Sequence, residues 1–353
     1  MKVLIIKLSS IGDVVHTLPA ATLIREVLPN AEISWAAEKG VSPLLENNPL
    51  IDRLHIVDTR SIRKKGSILE GLGAIRSAIR ELKKLEFDVS IDFQGLLKSS
   101  VLASLSRSKR RIGFDRDNLR EGAAANFYTD RFAYIDPINV INKNLRLAAD
   151  GLQSLGVEVN VDPESFSTKF VLPSKSDAVN EASQIISRID GPYAILNPAG
   201  GWITKLWPAS RFGELALELK SEFGITSIVS TGPGEGLLRD EVLKSADGTA
   251  ISMTPTLLGF FELAKNAAVY VGGDTAPTHL AVAANCPVVG IFGPTEWWRN
   301  GSPRNEDICV SRDDIDCRTN CHRRTCSNWI CMDIAVKEVL SAVRSRLAAE
   351  RSL

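Results

Sequence analysis

Apolar residues run without interruption from Val3 to Ile6, and then the period changes: Leu18, Ala21, Ile24, Val27 and Leu28 return at helical spacing. This switch from a short apolar run to a helical pattern recurs along the chain. Runs at 33–36, 54–57 and 89–93 predict strands, and patterns over 18–27, 69–85 and 98–105 predict helices. Beyond residue 175 the theme restarts, with strand-type runs at 193–196, 227–230, 250–252, 269–271 and 288–292. Strands apolar along their whole length, alternating with helices, predict an α/β protein with parallel sheets covered on both faces. Residues 160–175 hold Pro163, Pro173 and several Ser and Thr, a composition that suits a linker. The chain therefore reads as two Rossmann-like domains, 1–165 and 176–332, followed by a tail, 333–353, whose amphipathic pattern at 334–347 predicts a last helix. At 353 residues there is enough chain for two cores.

Loops at the carboxyl ends of parallel strands are where ligands bind in such sheets, and two of them carry unusual chemistry. Ser9-Ser10-Ile11-Gly12-Asp13 follows the first strand and opens a helix. A carboxylate there, beside a permissive glycine, can take a proton from a substrate hydroxyl; it can equally cap the helix. Gly272-Gly273-Asp274-Thr275-Ala276-Pro277 has the same design. Its unpaired backbone N–H groups at a helix start suit a diphosphate, and Pro277 is tolerated in a first turn. His279 lies four residues after Thr275, on the same helix face. Asn197-Pro198-Ala199-Gly200-Gly201 and Ser230-Thr231-Gly232-Pro233-Gly234-Glu235 end two further strands. The glycines of the latter do not have dinucleotide-fingerprint spacing.

Charge excludes one class. The 42 basic residues balance the 42 acidic ones, whereas nucleic-acid binders carry a basic excess. No apolar run reaches the roughly 18 residues of a membrane span, and Lys7, Ser9, Ser10 and Asp13 break the N-terminal run too early for a signal peptide. A soluble cytoplasmic protein is expected.

With the Ser-Ser-x-Gly-Asp and Gly-Gly-Asp-Thr-Ala-Pro-Thr-His segments together, the chain resembles glycosyltransferase family 9, the ADP-heptose:lipopolysaccharide heptosyltransferases, over residues 1 to about 303. The resemblance implies the GT-B architecture, in which two Rossmann-like domains face a central cleft and close on substrate, and by analogy a C-terminal helix that crosses back to the first domain. It implies inverting transfer of heptose from ADP-heptose to the Kdo region of the lipopolysaccharide inner core. Asp13 would be the base and Lys205 would offset the charge on departing ADP. Ser9, Ser10, Gly12, Glu235, Asp274, Thr275, Ala276 and His279 would complete the donor contacts, with Glu235 on the ribose. The acceptor would be an anionic lipid-linked saccharide at the inner face of the cytoplasmic membrane, met by Arg60, Arg63, Lys64, Arg120 and Arg146, since arginine forks suit carboxylates and phosphates. No metal is required for this chemistry. The Asp-x-Asp at 115–117 falls in the acceptor half and is discounted. Asn142 stands where the family often has histidine.

Three alternatives stay open: another heptose acceptor, such as a heptosylated core or a protein hydroxyl; a non-catalytic nucleotide-sugar binder; and a nucleotide-dependent oxidoreductase, against which the absence of a glycine fingerprint after the first strand speaks. Four of six cysteines, Cys317, Cys321, Cys326 and Cys331, cluster in a polar segment. Four thiolates suit structural zinc or iron, though the spacing is not that of paired zinc-ribbon cysteines. Some family members that modify bacterial surface proteins carry a C-terminal cysteine set holding iron. Ordinary thiols are the other reading, and in either case the cluster is expected to lie outside the donor and acceptor contacts.

Overall fold

The computed structural model describes residues 1–57, 68–318, 321 and 323–350, without side chains at 68–76 and 318. The chain divides between Pro173 and Ser174 into two compact units.

The first unit contains β1 (Lys2–Ile6), β2 (Glu32–Ala37), β3 (Arg53–Ile56), β4 (Val89–Asp92), β5 (Arg110–Phe114) and β6 (Asp130–Phe132), in the order β3-β2-β1-β4-β5-β6. All are parallel. The second unit contains β7 (Tyr193–Asn197), β8 (Thr226–Ser230), β9 (Ala250–Met253), β10 (Val269–Gly272), β11 (Val288–Ile291) and β12 (Ile308–Val310), ordered β12-β11-β10-β7-β8-β9 and again parallel. Read from its other edge, the second sheet repeats the first. In each, the first and fourth strands of the unit are neighbours and the chain leaves them in opposite directions. That point is where a crevice opens at the carboxyl edge.

The central strands are apolar because both faces are covered: Val3, Leu4, Ile5 and Ile6 are fully buried, as are Val269, Tyr270 and Val271. β5, β6 and β12 escape the hydrophobic pattern. β5 opens with Arg110 and Arg111, whereas β6 and β12 are three residues each at sheet edges. Short, charged edge strands resist pairing with other chains.

Tyr128 crosses β5 at Gly113, where a Cβ would stand 2.4 Å from its ring, and its hydroxyl donates to Asp92 at 2.8 Å. Burial pushes the Asp92 pKa up, against hydrogen bonds from Ser99, Tyr128 and the Gly95 and Gln94 amides.

The last helix, Val336–Glu350, is built into the second unit. Val339, Leu340 and Val343 join the core of Trp207, Phe212 and the β10 and β11 side chains, and Arg344 pairs with Glu222 at 2.8 Å. Buried Arg346 donates to Asp307 at 3.0 Å. Trp207 anchors the approach by donating its indole N–H to the Ile334 carbonyl at 2.9 Å. Among the described residues no helix is long and apolar enough to cross a membrane.

Candidate active site

At the first crevice, β1 runs out at Ile6 beside the end of β4, and both loops are tied together. Gln94 Oε1 accepts the Leu8 and Ser9 amides, each at 3.1 Å. Lys7, buried at 4 % exposure, donates through Nζ to the Phe93 carbonyl at 2.8 Å. The Trp35 indole fixes the Lys7 carbonyl at 3.1 Å. This frame delivers Asp13 on the short helix Ile11–Val15.

Asp13 does two things at once. Its Oδ2 accepts the Ser10 amide and hydroxyl, both at 2.9 Å, so the capping alternative is realised in the geometry. Its Oδ1 stands 3.8 Å from Lys7 Nζ, and the side chain is 42 % exposed. Burial works to raise the Asp13 pKa. The Lys7 charge, the Ser10 amide, His16 and the Ser10 hydroxyl outweigh it and hold the carboxyl below its usual range. Asp13 is therefore ionised at neutral pH and able to accept a proton. Gly12 is buried beneath it, and Ser10 is engaged by Asp13.

Cations gather on the same edge. Lys98, in the first turn of the helix Leu97–Leu105, pairs at 2.8 Å with buried Glu38, whose amide donates to the Leu8 carbonyl. Arg120 is exposed, and its neighbour Glu121 accepts the Leu97 amide at 2.8 Å, bringing the Arg120 loop to the start of that helix. Arg146 lies on the helix Val140–Ser154 and is held by Glu164. Arg60, Arg63 and Lys64 lie outside the described residues.

The second crevice, between β7 and β10, holds a different set. Lys205 sits in the 3-10 turn Ile203–Lys205. Its Nζ donates to Asp274 Oδ2 at 2.6 Å and to the Asp274 carbonyl at 3.2 Å, and lies 4.4 Å from the centre of the Trp202 ring. Both partners are nearly buried, Lys205 at 13 % and Asp274 at 7 % side-chain exposure. His279 Nε2 is 3.4 Å from Asp274 Oδ1, and Asn300 reaches Oδ2 at 3.4 Å. Burial pushes the Asp274 pKa up, but the His279 hydrogen bond and the Lys205 charge bring it far below the usual carboxylate range. Asp274 thus works as a fixed anion that aims Lys205.

Thr275 is the N-cap of the helix Ala276–Ala283 and makes no side-chain cap bond; its hydroxyl reaches Asn197 Oδ1 at 3.5 Å. Asn197 also donates to the Ser230 carbonyl at 2.8 Å, so one side chain ties three strand ends. Glu235 turns back on its own loop, accepting the Gly232 amide at 2.5 Å.

Gln94, Lys98 and Trp202 were not singled out from sequence, and Lys7 and Asn197 were noted there without a role in the site. The position of Gln94 after a strand end was a usable signal, since the commonest doubly wound order sets the fourth strand beside the first.

The four clustered cysteines are free thiols. Burial raises the Cys331 pKa, and Cys321, Cys317 and Cys326 add to the rise as neighbours. The Trp329 amide donates to Cys326 Sγ at 3.4 Å. Among the described residues no three His, Cys, Asp or Glu side chains are placed to share a metal ion. The segment packs on the turn that carries Lys205. Thr204 donates to the Arg323 carbonyl at 2.6 Å, and the Trp329 indole donates to the Thr204 carbonyl at 3.1 Å.

Known proteins resemble this chain. Lipopolysaccharide heptosyltransferase 1 of Pseudomonas aeruginosa is 27 % identical over 329 residues, covering 93 % of this chain and 88 % of the relative. That of Escherichia coli K12 is 28 % identical over 315 residues, covering 88 % and 93 %. The solved structure of E. coli heptosyltransferase WaaC with ADP superposes with a TM-score of 0.75 at 22 % identity, covering 98 % of this chain and 100 % of that one; this likeness shows the GT-B fold. The sequence pattern of glycosyltransferase family 9 (heptosyltransferase) matches residues 75–330, and with most of the chain inside that match, it belongs to glycosyltransferase family 9, the heptosyltransferases.

Proposed function

We propose that this chain transfers heptose from ADP-heptose to the Kdo region of the lipopolysaccharide inner core, with inversion at the anomeric carbon. The observation that carries this reading is the division of chemistry between two like crevices: an ionised carboxylate at one, and a lysine aimed by a buried aspartate at the other. Asp13 takes the proton of the acceptor hydroxyl as that oxygen bonds to the anomeric carbon. The bond from that carbon to the diphosphate oxygen breaks, and ADP leaves with the electron pair. Lys205 and the open amides at the start of Ala276–Ala283 meet the charge that develops on it. Lysine and backbone dipoles supply this stabilisation, so the transfer runs without a required metal. In this reading Thr275, Ala276 and His279 line the phosphate side, Glu235 takes a ribose hydroxyl on leaving its own loop, and Ser9, Ser10 and Gly12 shape the loop for the sugar.

The acceptor is an anionic lipid-linked saccharide at the inner membrane face, and the protein is cytoplasmic with peripheral contact there. Lys98 and Arg120 on the Asp13 edge favour an anion. A transfer assay with ADP-heptose tests the reading against Kdo-lipid A, a heptosylated core and a protein hydroxyl. Product is expected from Kdo-lipid A. Product from another acceptor reassigns the specificity, and ADP binding without transfer to any of them makes the chain a nucleotide-sugar binder.

The four cysteines Cys317, Cys321, Cys326 and Cys331, close together in sequence, are further proposed to hold one structural zinc or iron per chain. Elemental analysis of reductively purified protein tests this; a metal-free protein of full thermal stability makes them ordinary thiols.

A further inference from the structure

We infer that the segment 323–329 is a strap that positions Lys205 for the donor, with Trp329 as its main positioning residue. The inference rests on reading Lys205 as the diphosphate contact.

Three links on the second unit carry it. Thr204 and Lys205 are adjacent in one 3-10 turn, and Thr204, at 2 % exposure, is pinned from both its hydroxyl and its carbonyl by this segment. The Trp202 ring that faces Lys205 Nζ also has the Arg324 guanidinium 5.3 Å from its centre. Trp329 itself is held at φ +27° and ψ +31°, a region a bulky side chain enters only when its surroundings over-determine it. Its amide on Cys326 Sγ and its packing against the core of the second unit provide that determination. The side chain held at this outlier conformation ends on the backbone of the lysine turn.

Asp274 fixes where Nζ points; the strap fixes where the turn beneath it sits. Without the strap, the turn rests on its own bonds, Lys205 N–H to the Trp202 carbonyl and Leu206 N–H to that of Ile203, each 3.1 Å. Short 3-10 turns have poor hydrogen-bond geometry and loosen readily.

The test uses full-length protein and ADP as probe. Trp329→Phe keeps the ring and removes the indole donor. Backbone amides of 202–206 are expected to exchange with deuterium faster, and ADP affinity by calorimetry is expected to fall about three- to tenfold, the worth of one such hydrogen bond. The acceptor KM should not move. Thr204→Val and Arg324→Gln should show smaller shifts of the same kind, and they decide the matter if Trp329→Phe fails to fold. In a Lys205→Met background the Trp329→Phe loss of ADP affinity should vanish, because the strap acts through the lysine. Unchanged exchange at 202–206 overturns the strap whatever ADP does, as does an equal loss in both backgrounds. Unchanged ADP affinity in Lys205→Met alone, with exchange altered by Trp329→Phe, instead overturns the assignment of Lys205 to the diphosphate and leaves the strap standing.

Discussion

The two crevices share a strand order and differ in almost everything else. At the first, the key carboxylate is 42 % exposed and its acidic range is set by a buried lysine 3.8 Å away. At the second, both partners are nearly buried: Asp274 is 7 % exposed, and the lysine it holds at 2.6 Å is 13 % exposed. One topology thus carries a partly exposed carboxylate beside a buried lysine in one unit and a nearly buried lysine–aspartate pair in the other. The sheet fixes where chemistry can occur, and the loops decide which groups are brought there. Fold alone does not assign function.

The sharpest way to break this contrast is Asp13→Asn. It keeps the Ser10 contacts in part but cannot take a proton. Turnover is expected to fall about 10²–10⁴-fold, the usual share of a general base, with ADP affinity unchanged. A near-normal kcat in the variant would sink the base assignment and leave Asp13 a helix cap.

Lys205→Met attacks the other side. Loss of one preorganised donor on a developing negative charge costs about 10²–10³-fold in kcat, and ADP binding measured in EDTA should weaken as well. If ADP binding in the unsubstituted protein itself vanished in EDTA and returned with magnesium, the protein-cation account of the leaving group would be wrong. In this variant Asp274 keeps His279 and Asn300, so the fold should hold.

Much of this contrast is legible in the chain. β1, β7, β10 and β11 declare themselves because a strand covered on both faces must be apolar throughout, and the loops that follow them carry Asp13, Lys205 and Asp274. β5 and the edge strands β6 and β12 do not: β5 opens on two arginines, and three residues make no pattern in the other two. Pairings are a harder loss. That Lys7 serves Asp13, or that Trp329 reaches Thr204 across 125 positions, depends on strand order and loop path, which no local spacing encodes.

Lys7→Met gives the smallest effect and the most specific one. Burial of Asp13 favours its neutral form, and at present the Lys7 charge leads the forces that reverse this, with His16 and the two Ser10 hydrogen bonds adding to it. Removing Lys7 removes the leading one. The Asp13 pKa is then expected to rise, so the carboxyl stays protonated, and useless as a base, to a higher pH. The acid limb of the pH–rate profile should move toward neutrality, while the plateau at higher pH, where Asp13 is ionised in both proteins, should drop far less than in Asp13→Asn. Methionine keeps the stem volume that packs beneath the loop but leaves the Phe93 carbonyl without its lysine donor, at a cost of about 1–3 kcal/mol in stability. A lowered thermal midpoint is therefore expected and does not test the electrostatics. The position of the acid limb does, because loosened packing would lower the plateau without moving the limb. An unshifted limb would mean that the 3.8 Å pair contributes nothing to the ionisation of Asp13, and that the two crevices do not mirror each other as ion pairs.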